Sequence, residues 1–324
     1  MNGVVPVAPL TLSDFVVEPP DGATFALPHS DIPDRFREHV LASLYAAKWN
    51  RYYQIPAAVV ETAIFGGGAP KLCSTSFFRG AEGALLALAL QMRPDRIWAP
   101  FDSYPGYQRV ADAVDAKLCG YSVDTIPKPH PADERSWLIV TVPGNPRDNF
   151  VMPEEWARWR NGSPRIIVDA TYEMPGTRRF TELVTVALDA GACVVFSFSK
   201  ALPLAGLRLG GCILPQGIQQ PPGPHHQWSI LDVAVIAAMS DVDVAGWMSS
   251  HREAQLKVHR RLIEELSGRG HQISGQESGV FVTTQDKIEL GVMTGKRYAS
   301  GIVRLDSSPE NISSLIDIHG QGRG

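Results

Sequence analysis

Lys200 follows an apolar run, Ala192 to Phe196, from which it is separated by Ser197, Phe198 and Ser199. The run predicts a buried strand, so the lysine falls just past a strand end, among apolar neighbours. That is a poor place for a solvated surface charge. Desolvation lowers the pKa of an amine and makes it a nucleophile able to form a Schiff base. Ser197, Ser199 and Arg208 add hydroxyl donors and a fork-shaped cation, the groups that hold a phosphate. The competing reading of this stretch is a strand-to-loop turn carrying a chance basic pair.

Other residues of chemical interest fall at comparable places. RIIVDATYEM (Arg165 to Met174) predicts another buried strand with Asp169 near its end. A carboxylate there can pair with a pyridine nitrogen and keep it protonated, which turns the ring into an electron sink. Tyr172, three residues on, can reach a phenolic oxygen; a helix cap or a metal ligand is the competing role for Asp169. SWLIVTVPGNP (Ser136 to Pro146) is a continuous apolar run of the central parallel type, which presents Asn145 at its carboxyl end. RIWAP is a short strand, and Tyr104 lies in the loop after it, where an aromatic ring can stack on a flat cofactor. Gly80, Ala81, Glu82 and Gly83 precede an apolar helical run that starts near Ala84. Small residues at a helix start let backbone N–H groups approach a phosphate, aided by the helix dipole. If the backbone does so, the Glu82 side chain must point away. A reactive lysine beside a phosphate site points to pyridoxal 5'-phosphate above other cofactors.

FSFSKALPLAGLRLGG (Phe196 to Gly211) resembles the cofactor-lysine motif of fold-type I aminotransferases, especially the histidinol-phosphate aminotransferase branch. The resemblance covers roughly Asn50 to Ile318. It implies Lys200 as the Schiff-base lysine, with Ser197, Ser199 and Arg208 near the phosphate. It places the phosphate-binding turn at Gly80, Ala81 and Glu82. Tyr104 and Tyr107 match the tyrosines of a Pro-x-Tyr-x-x-Tyr pattern, with Asp102 in place of the usual proline. Asn145-Pro146 matches the second Asn-Pro of the family's loop, and the asparagine would donate to the cofactor's phenolic oxygen. Val142, Arg147 and Asp148 depart from that loop, which bears on substrate contacts. Asp169-Ala-Thr-Tyr172 keeps the two functional positions of Asp-Glu-Ala-Tyr. Arg304 matches the arginine that grips a substrate carboxylate through two parallel hydrogen bonds; read locally, it is a surface ion-pair residue. The Asn50 to Tyr52 element resembles N-R-Y, which would bring Tyr52 to the cofactor phosphate of a partner subunit in a homodimer. Packing on the core is the competing role for Tyr52.

The elements that must position these groups alternate strand and helix from Lys71 to Gly211, which predicts an α/β fold with a mostly parallel central sheet flanked by helices. Residues 1–50 read as an N-terminal arm and helix, 51–240 as the large cofactor-binding domain, and 241–324 as a smaller α+β domain. Asp34 to Trp49, Trp228 to Met239 and Gly246 to Leu266 read as helices. HQISG, SGVFVTT and GIVRLDSS supply short late strands, and SPENISSLIDI a capped closing helix. His225 and His226, in a Pro/Gly loop, read as solvated.

At 324 residues the chain can bury a large core, and its net charge of −4 gives no electrostatic case for nucleic acid or an anionic membrane. No apolar run approaches the ~20 residues of a membrane span. MNGVVPVAPLTLSDF lacks the pattern of a signal peptide, and the four cysteines, scattered without metal-ligand spacing, read as reduced thiols. Both observations point to the cytoplasm. The resemblance implies transamination of an amino acid, with a keto acid as the other substrate. Decarboxylation and elimination or cyclisation use the same cofactor residues and stay open, as does a non-enzymatic cofactor-binding module.

Overall fold

Runs of Ile, Val and Leu too short for helices form the centre of the molecule: SWLIVT, RIIVD and CVVFS lie in its middle strands, nearly every residue buried. The computed structural model describes residues 34–47, 57–65, 73–101, 103–122, 135–145, 165–200, 207–219, 221, 229–241, 244–274, 279–286, 288, 295–298 and 300–320. Strands β1 (Cys73–Arg79), β2 (Arg96–Pro100), β3 (Lys117–Tyr121), β4 (Ser136–Thr141), β5 (Arg165–Asp169), β6 (Cys193–Ser197) and β7 (Leu209–Pro215) make one sheet in the order β1-β7-β6-β5-β4-β2-β3. β7 runs antiparallel to both neighbours, and the remaining pairs are parallel. The carboxyl ends of β1, β2, β4, β5 and β6 therefore open on one edge, together with the start of β7. Ligands of open α/β sheets bind at such an edge.

Because side chains alternate along a strand, both faces of this sheet need cover. Trp137 and Ile139 of β4 face one way, into a cluster with Leu85 and Leu88 of helix α3 (Gly80–Met92) and Tyr107 of α4 (Gly106–Asp112). Leu138 and Val140 face the other way, toward Phe180, Leu183 and Val184 of α5 (Arg178–Asp189). That second face is also covered by α1 (Asp34–Ala46), α2 (Ala57–Phe65) and α6 (Ile230–Asp241). The long helix α7 (Val244–Gly268) and α8 (Pro309–Gly320) cover a four-stranded antiparallel sheet instead. Its order is β10 (Gly295–Arg297), β11 (Val303–Asp306), β9 (Phe281–Thr284), β8 (Ile273–Ser274). Leu262, Leu266, Val303, Leu305, Ile312 and Leu315 share its core. Ser308 caps α8 by accepting from the Asn311 amide at 3.1 Å, as expected from the Ser-Pro signal.

The fold differs from the sequence expectations in detail. Cys73–Arg79 reads as a loop leading into the helix but is strand β1, paired along its length with β7. α3 begins at Gly80 and not near Ala84, because Gly80 takes φ 73°, a backbone turn open to glycine, directly at the end of β1. The three-residue β10 was not expected; GKR has no apolar alternation, and pairing with β11 is what makes it a strand.

Candidate active site

The strand register sets the site. Thr141 pairs with Asp169, and Asp169 with Val195, so β4 and β5 end level and β6 runs on to Ser197 beyond them. Past those ends the chain delivers Asn145, Tyr172 and Lys200. Small-sheet strand β11 closes the opposite side with Arg304, which is only 4% exposed. Arg304 Nη1 donates to Asn145 Oδ1 at 3.2 Å and to the Tyr172 hydroxyl at 3.1 Å, and Tyr298 donates to the same Asn145 oxygen at 3.1 Å. Tyr172 also packs edge-on against Phe281 of β9, 5.1 Å between ring centres, so one aromatic contact ties the two sheets together beside the site. Arg304 is thus a buried residue, and its local reading as a surface ion pair does not hold: its alternate neighbours Val303 and Leu305 take the core face and turn it inward.

Lys200 lies in the turn after β6, half-buried. Burial first, then the Arg304 guanidinium, push its ammonium down to about 8; Asp306 opposes the shift and Arg208 adds to it. An amine with that value is about one-tenth unprotonated at pH 7, far more than an ordinary lysine, and that fraction is available as a nucleophile or base.

Asp169 is 4% exposed, and both of its oxygens are engaged. Oδ1 accepts from the Thr171 amide at 3.0 Å and from the Thr171 hydroxyl; Oδ2 accepts from the Tyr107 hydroxyl at 2.5 Å. Tyr107 Oη also lies 3.3 Å from Thr141 Oγ1. Burial and the Asp169 charge hold the Tyr107 phenol well above its ordinary range, so it stays a donor. Tyr104 stands edge-on to Tyr107 with ring centres 5.6 Å apart. Its hydroxyl donates to Glu82 Oε2 at 2.5 Å, and Arg109 grips the same carboxylate at 2.7 and 3.0 Å. The Glu82 side chain is therefore turned to Arg109 and Tyr104, the outward direction that a backbone phosphate turn demands. The hydrogen bond from Arg109 is the main reason its carboxyl sits below the usual range.

The other end of the site is built by β1, β6 and β7. Register pairs Gly210 with both Phe78 and Ser197. A Cβ on Gly210 would lie 2.9 Å from the Gly80 Cα, so only glycine lets the α3 turn approach β7. Arg208 reaches back over that turn: its Nη2 is 3.3 Å from where a Gly80 Cβ would be. Ser197 Oγ accepts from the Ser199 amide at 3.1 Å. Ser199 Oγ is buried without a hydrogen-bond partner among the described residues. An orphan hydroxyl, a guanidinium and a helix start at one end, with a carboxylate at the other, fit the phosphate and ring nitrogen of pyridoxal phosphate. Ser197, Ser199, Arg208, Gly80, Ala81 and Glu82 would hold the first, and Asp169 the second.

The structure thus gathers Lys200, Asn145, Tyr172 and Arg304 in one cluster and sets Asp169 with Tyr107 in another at the same sheet edge. Tyr52, Asp102, Pro146, His225 and His226 lie outside the described residues. Tyr298 and Asp306 were not singled out from sequence. Asp306 carried a usable signal, since it follows Arg304 by two positions in a strand and so shares its face.

A lysine past a strand end, with a carboxylate and a phosphate cradle to either side on an α/β sheet, is the arrangement of a pyridoxal-phosphate enzyme. Comparison with known proteins narrows this. The family Aminotransferase class I and II matches residues 38–289, and the chain belongs to that family of pyridoxal-phosphate-dependent transferases. The aromatic amino acid aminotransferase of Mycobacterium ulcerans is 27% identical over 201 residues, 59% of this chain and 55% of that protein. The chain thus matches little more than half the length of that relative. Among solved structures, an aminotransferase from Staphylococcus aureus superposes with a TM-score of 0.69 at 14% identity, covering 90% of each chain. A single mutant of Thermus thermophilus aspartate aminotransferase gives a TM-score of 0.66 at 16% identity, covering 90% of this chain and 88% of that one. These two share the fold.

Proposed function

We propose that the protein is an aminotransferase that moves an amino group between an amino acid and a keto acid, using pyridoxal phosphate held by Lys200. The observation that carries the reading is the half-buried lysine of lowered proton affinity, within electrostatic reach of Arg304, which itself donates to Asn145 and Tyr172 at the carboxyl edge of the sheet. When bound, pyridoxal phosphate supplies an aldehyde that exchanges amines and a protonated ring that takes up electron density. Lys200 would hold the cofactor through its amine and, once displaced by the substrate amine, would carry a proton from the substrate α-carbon. Asp169, fixed by Tyr107 and Thr171, would hold a proton on the ring nitrogen. Asn145 and Tyr172 would hold the phenolic oxygen, and Tyr104 would cover the ring face. Arg304 orients the substrate α-carboxylate through two parallel hydrogen bonds.

Phe281 and Tyr298 flank Arg304, with its guanidinium carbon 5.1 and 6.0 Å from their ring centres. Those aromatic walls, with the aromatic aminotransferase relative, make aromatic amino acids the first donors to test. The likeness of the Phe196 to Gly211 motif and of the NRY element to the histidinol-phosphate branch adds imidazole-bearing donors to that panel. The same reading assigns a cytoplasmic biosynthetic role, a domain boundary near residue 240, and a homodimer in which Tyr52 completes the partner's phosphate site. The test is direct. Borohydride reduction of the loaded protein followed by peptide mapping should tag Lys200, and amino donors with 2-oxoglutarate should give glutamate. A tag on another lysine overturns the assignment; a Lys200 tag without amino transfer overturns the reaction but leaves the cofactor site standing.

A further inference from the structure

One acidic group at the site has no part in that mechanism. Asp306 lies two residues after Arg304 on β11, where strand alternation puts both side chains on the face away from Val303 and Leu305. It is 2% exposed, and neither carboxylate oxygen accepts a hydrogen bond among the described residues. Its one described ion pair is to Arg304 Nε at 3.7 Å. A buried carboxylate with so little hydrogen bonding is costly and persists only against positive charge.

The groups around it supply that charge. Arg304 stands on the same strand, Lys200 on the turn after β6, and Tyr172 on the segment after β5, all within electrostatic reach. Arg208 acts on Lys200 from the start of β7, and Tyr298 acts on Arg304. From α7, His259 stops one residue short, its Nδ1 2.8 Å from Ser307 Oγ. Two cations without Asp306 would oppose one another in a low-dielectric space; with it, the three form a compensated set.

We propose that Asp306 is a positioning residue, the counter-charge shared by Arg304 and Lys200, which holds the guanidinium toward Asn145 and Tyr172 and fixes the pH at which the lysine is free to react. The sign is set by the charge. A carboxylate favours the ammonium form of Lys200, so removing it frees the amine at lower pH. Asp306 itself is pushed up to about 6 by burial against the pull of the two cations, so the effect belongs to the range above that value, where it carries its charge.

The proposal rests on Lys200 as the cofactor lysine, and the experiment separates the two. The full-length protein is stripped of cofactor and mixed with pyridoxal phosphate across roughly pH 6 to 10, a range that covers both shifted groups. The rate of cofactor uptake is read by absorbance, and borohydride mapping identifies the lysine. Asp306→Asn should move the midpoint of the rate profile to lower pH by on the order of one unit, which at fixed pH below the wild-type midpoint is up to about a tenfold faster uptake. Asp306→Glu should restore the wild-type profile. If Asp306→Asn fails to fold, Asp306→Ser gives the same reading with a smaller neutral side chain. A neutral variant whose profile superposes on wild type, or moves to higher pH, overturns the role of Asp306 while a Lys200 tag leaves the cofactor assignment intact. A tag on a different lysine in wild type overturns both.

Discussion

Asp169→Asn isolates one charge in the site. Asparagine keeps the shape, and its carbonyl oxygen can still accept from the Thr171 amide and hydroxyl where Oδ1 does now. On the other side the new amide would face Tyr107, whose hydroxyl presently donates at 2.5 Å. That hydroxyl can accept from the amide and turn its own proton to Thr141 Oγ1, 3.3 Å away. The fold and the cofactor cradle at Gly80 and Arg208 should therefore survive. What is lost is the anionic partner of the ring nitrogen. A hydrogen bond to a charged group contributes about 1.5–3 kcal/mol, so the step that removes the substrate α-proton should slow by about tenfold to 150-fold.

The assay is a single half-reaction under saturating amino donor, followed by stopped-flow absorbance, with cofactor occupancy and thermal melting measured on the same samples. Tyr107→Phe is the companion variant, because it removes the hydrogen bond and leaves the charge. It should cost stability by roughly 1.5–3 kcal/mol and leave the half-reaction much closer to wild type. A fully loaded, normally melting Asp169→Asn protein with a rate within about twofold of wild type would refute the electron-sink role.

Three further outcomes follow from the same coordinates. Lys200→Met should stabilise the cofactor-free protein at pH 7 by about 2–4 kcal/mol, because the folded-state value of about 8 lies below the ordinary 10.5. The unfolded chain then binds more protons between those values, so the gain should shrink as pH rises from 8 to 10.5 in denaturant titrations; a difference constant with pH would contradict it. Gly210→Ala places a Cβ 2.6 Å from the Phe196 carbonyl oxygen and 2.9 Å from the Gly80 backbone, so it should lower stability by about 1–3 kcal/mol and weaken cofactor affinity, read by melting and by absorbance titration. Mixing Lys200→Ala with Tyr52→Asp after mild dissociation should restore activity to at most half the sites; no rescue, with a monomeric mass in solution, would count against the shared site.

Much of the site was legible because the sheet edge collects it. Asn145, Asp169 and Lys200 each follow an apolar strand run directly, and in a parallel sheet such positions converge whatever the loops between them do. Arg208 joins them for a different reason: β7 runs against its neighbours, so the residue before its first strand position sits at the same edge where the others end. Contacts across elements were harder to read. Tyr107 faces Asp169 only because α4 packs Tyr107 inward over β4 and β5, and nothing local in GYQRVAD marks that hydroxyl as a partner for a carboxylate 62 residues away. The Tyr298 contact to Asn145 spans 153 residues and depends on how the small sheet meets the large one. Periodicity carries no such information. The late start expected for α3 has a local cause, since Gly-Ala-Glu-Gly lacks the apolar period that marked Ala84 onward, while the helix begins as soon as Gly80 makes the turn.

The groups proposed here to serve function are those that serve stability least. Ser199 Oγ has no partner among the described residues, Asp306 leans on one loose ion pair, and Lys200 holds its charge only weakly. Each would be better satisfied in an ordinary core by an apolar replacement. Their cost falls on one edge of a sheet whose interior, from Trp137 through Phe196, is packed on both faces and carries the fold without them. A ligand bearing a phosphate and an aldehyde meets two of these deficits at once, giving the Ser199 hydroxyl an acceptor and the Lys200 amine a carbon to bond. Binding then stabilises the folded chain by mass action. It follows that affinity and local instability are linked at this edge: variants that relieve the strain of the free site should gain melting temperature and lose ligand in step.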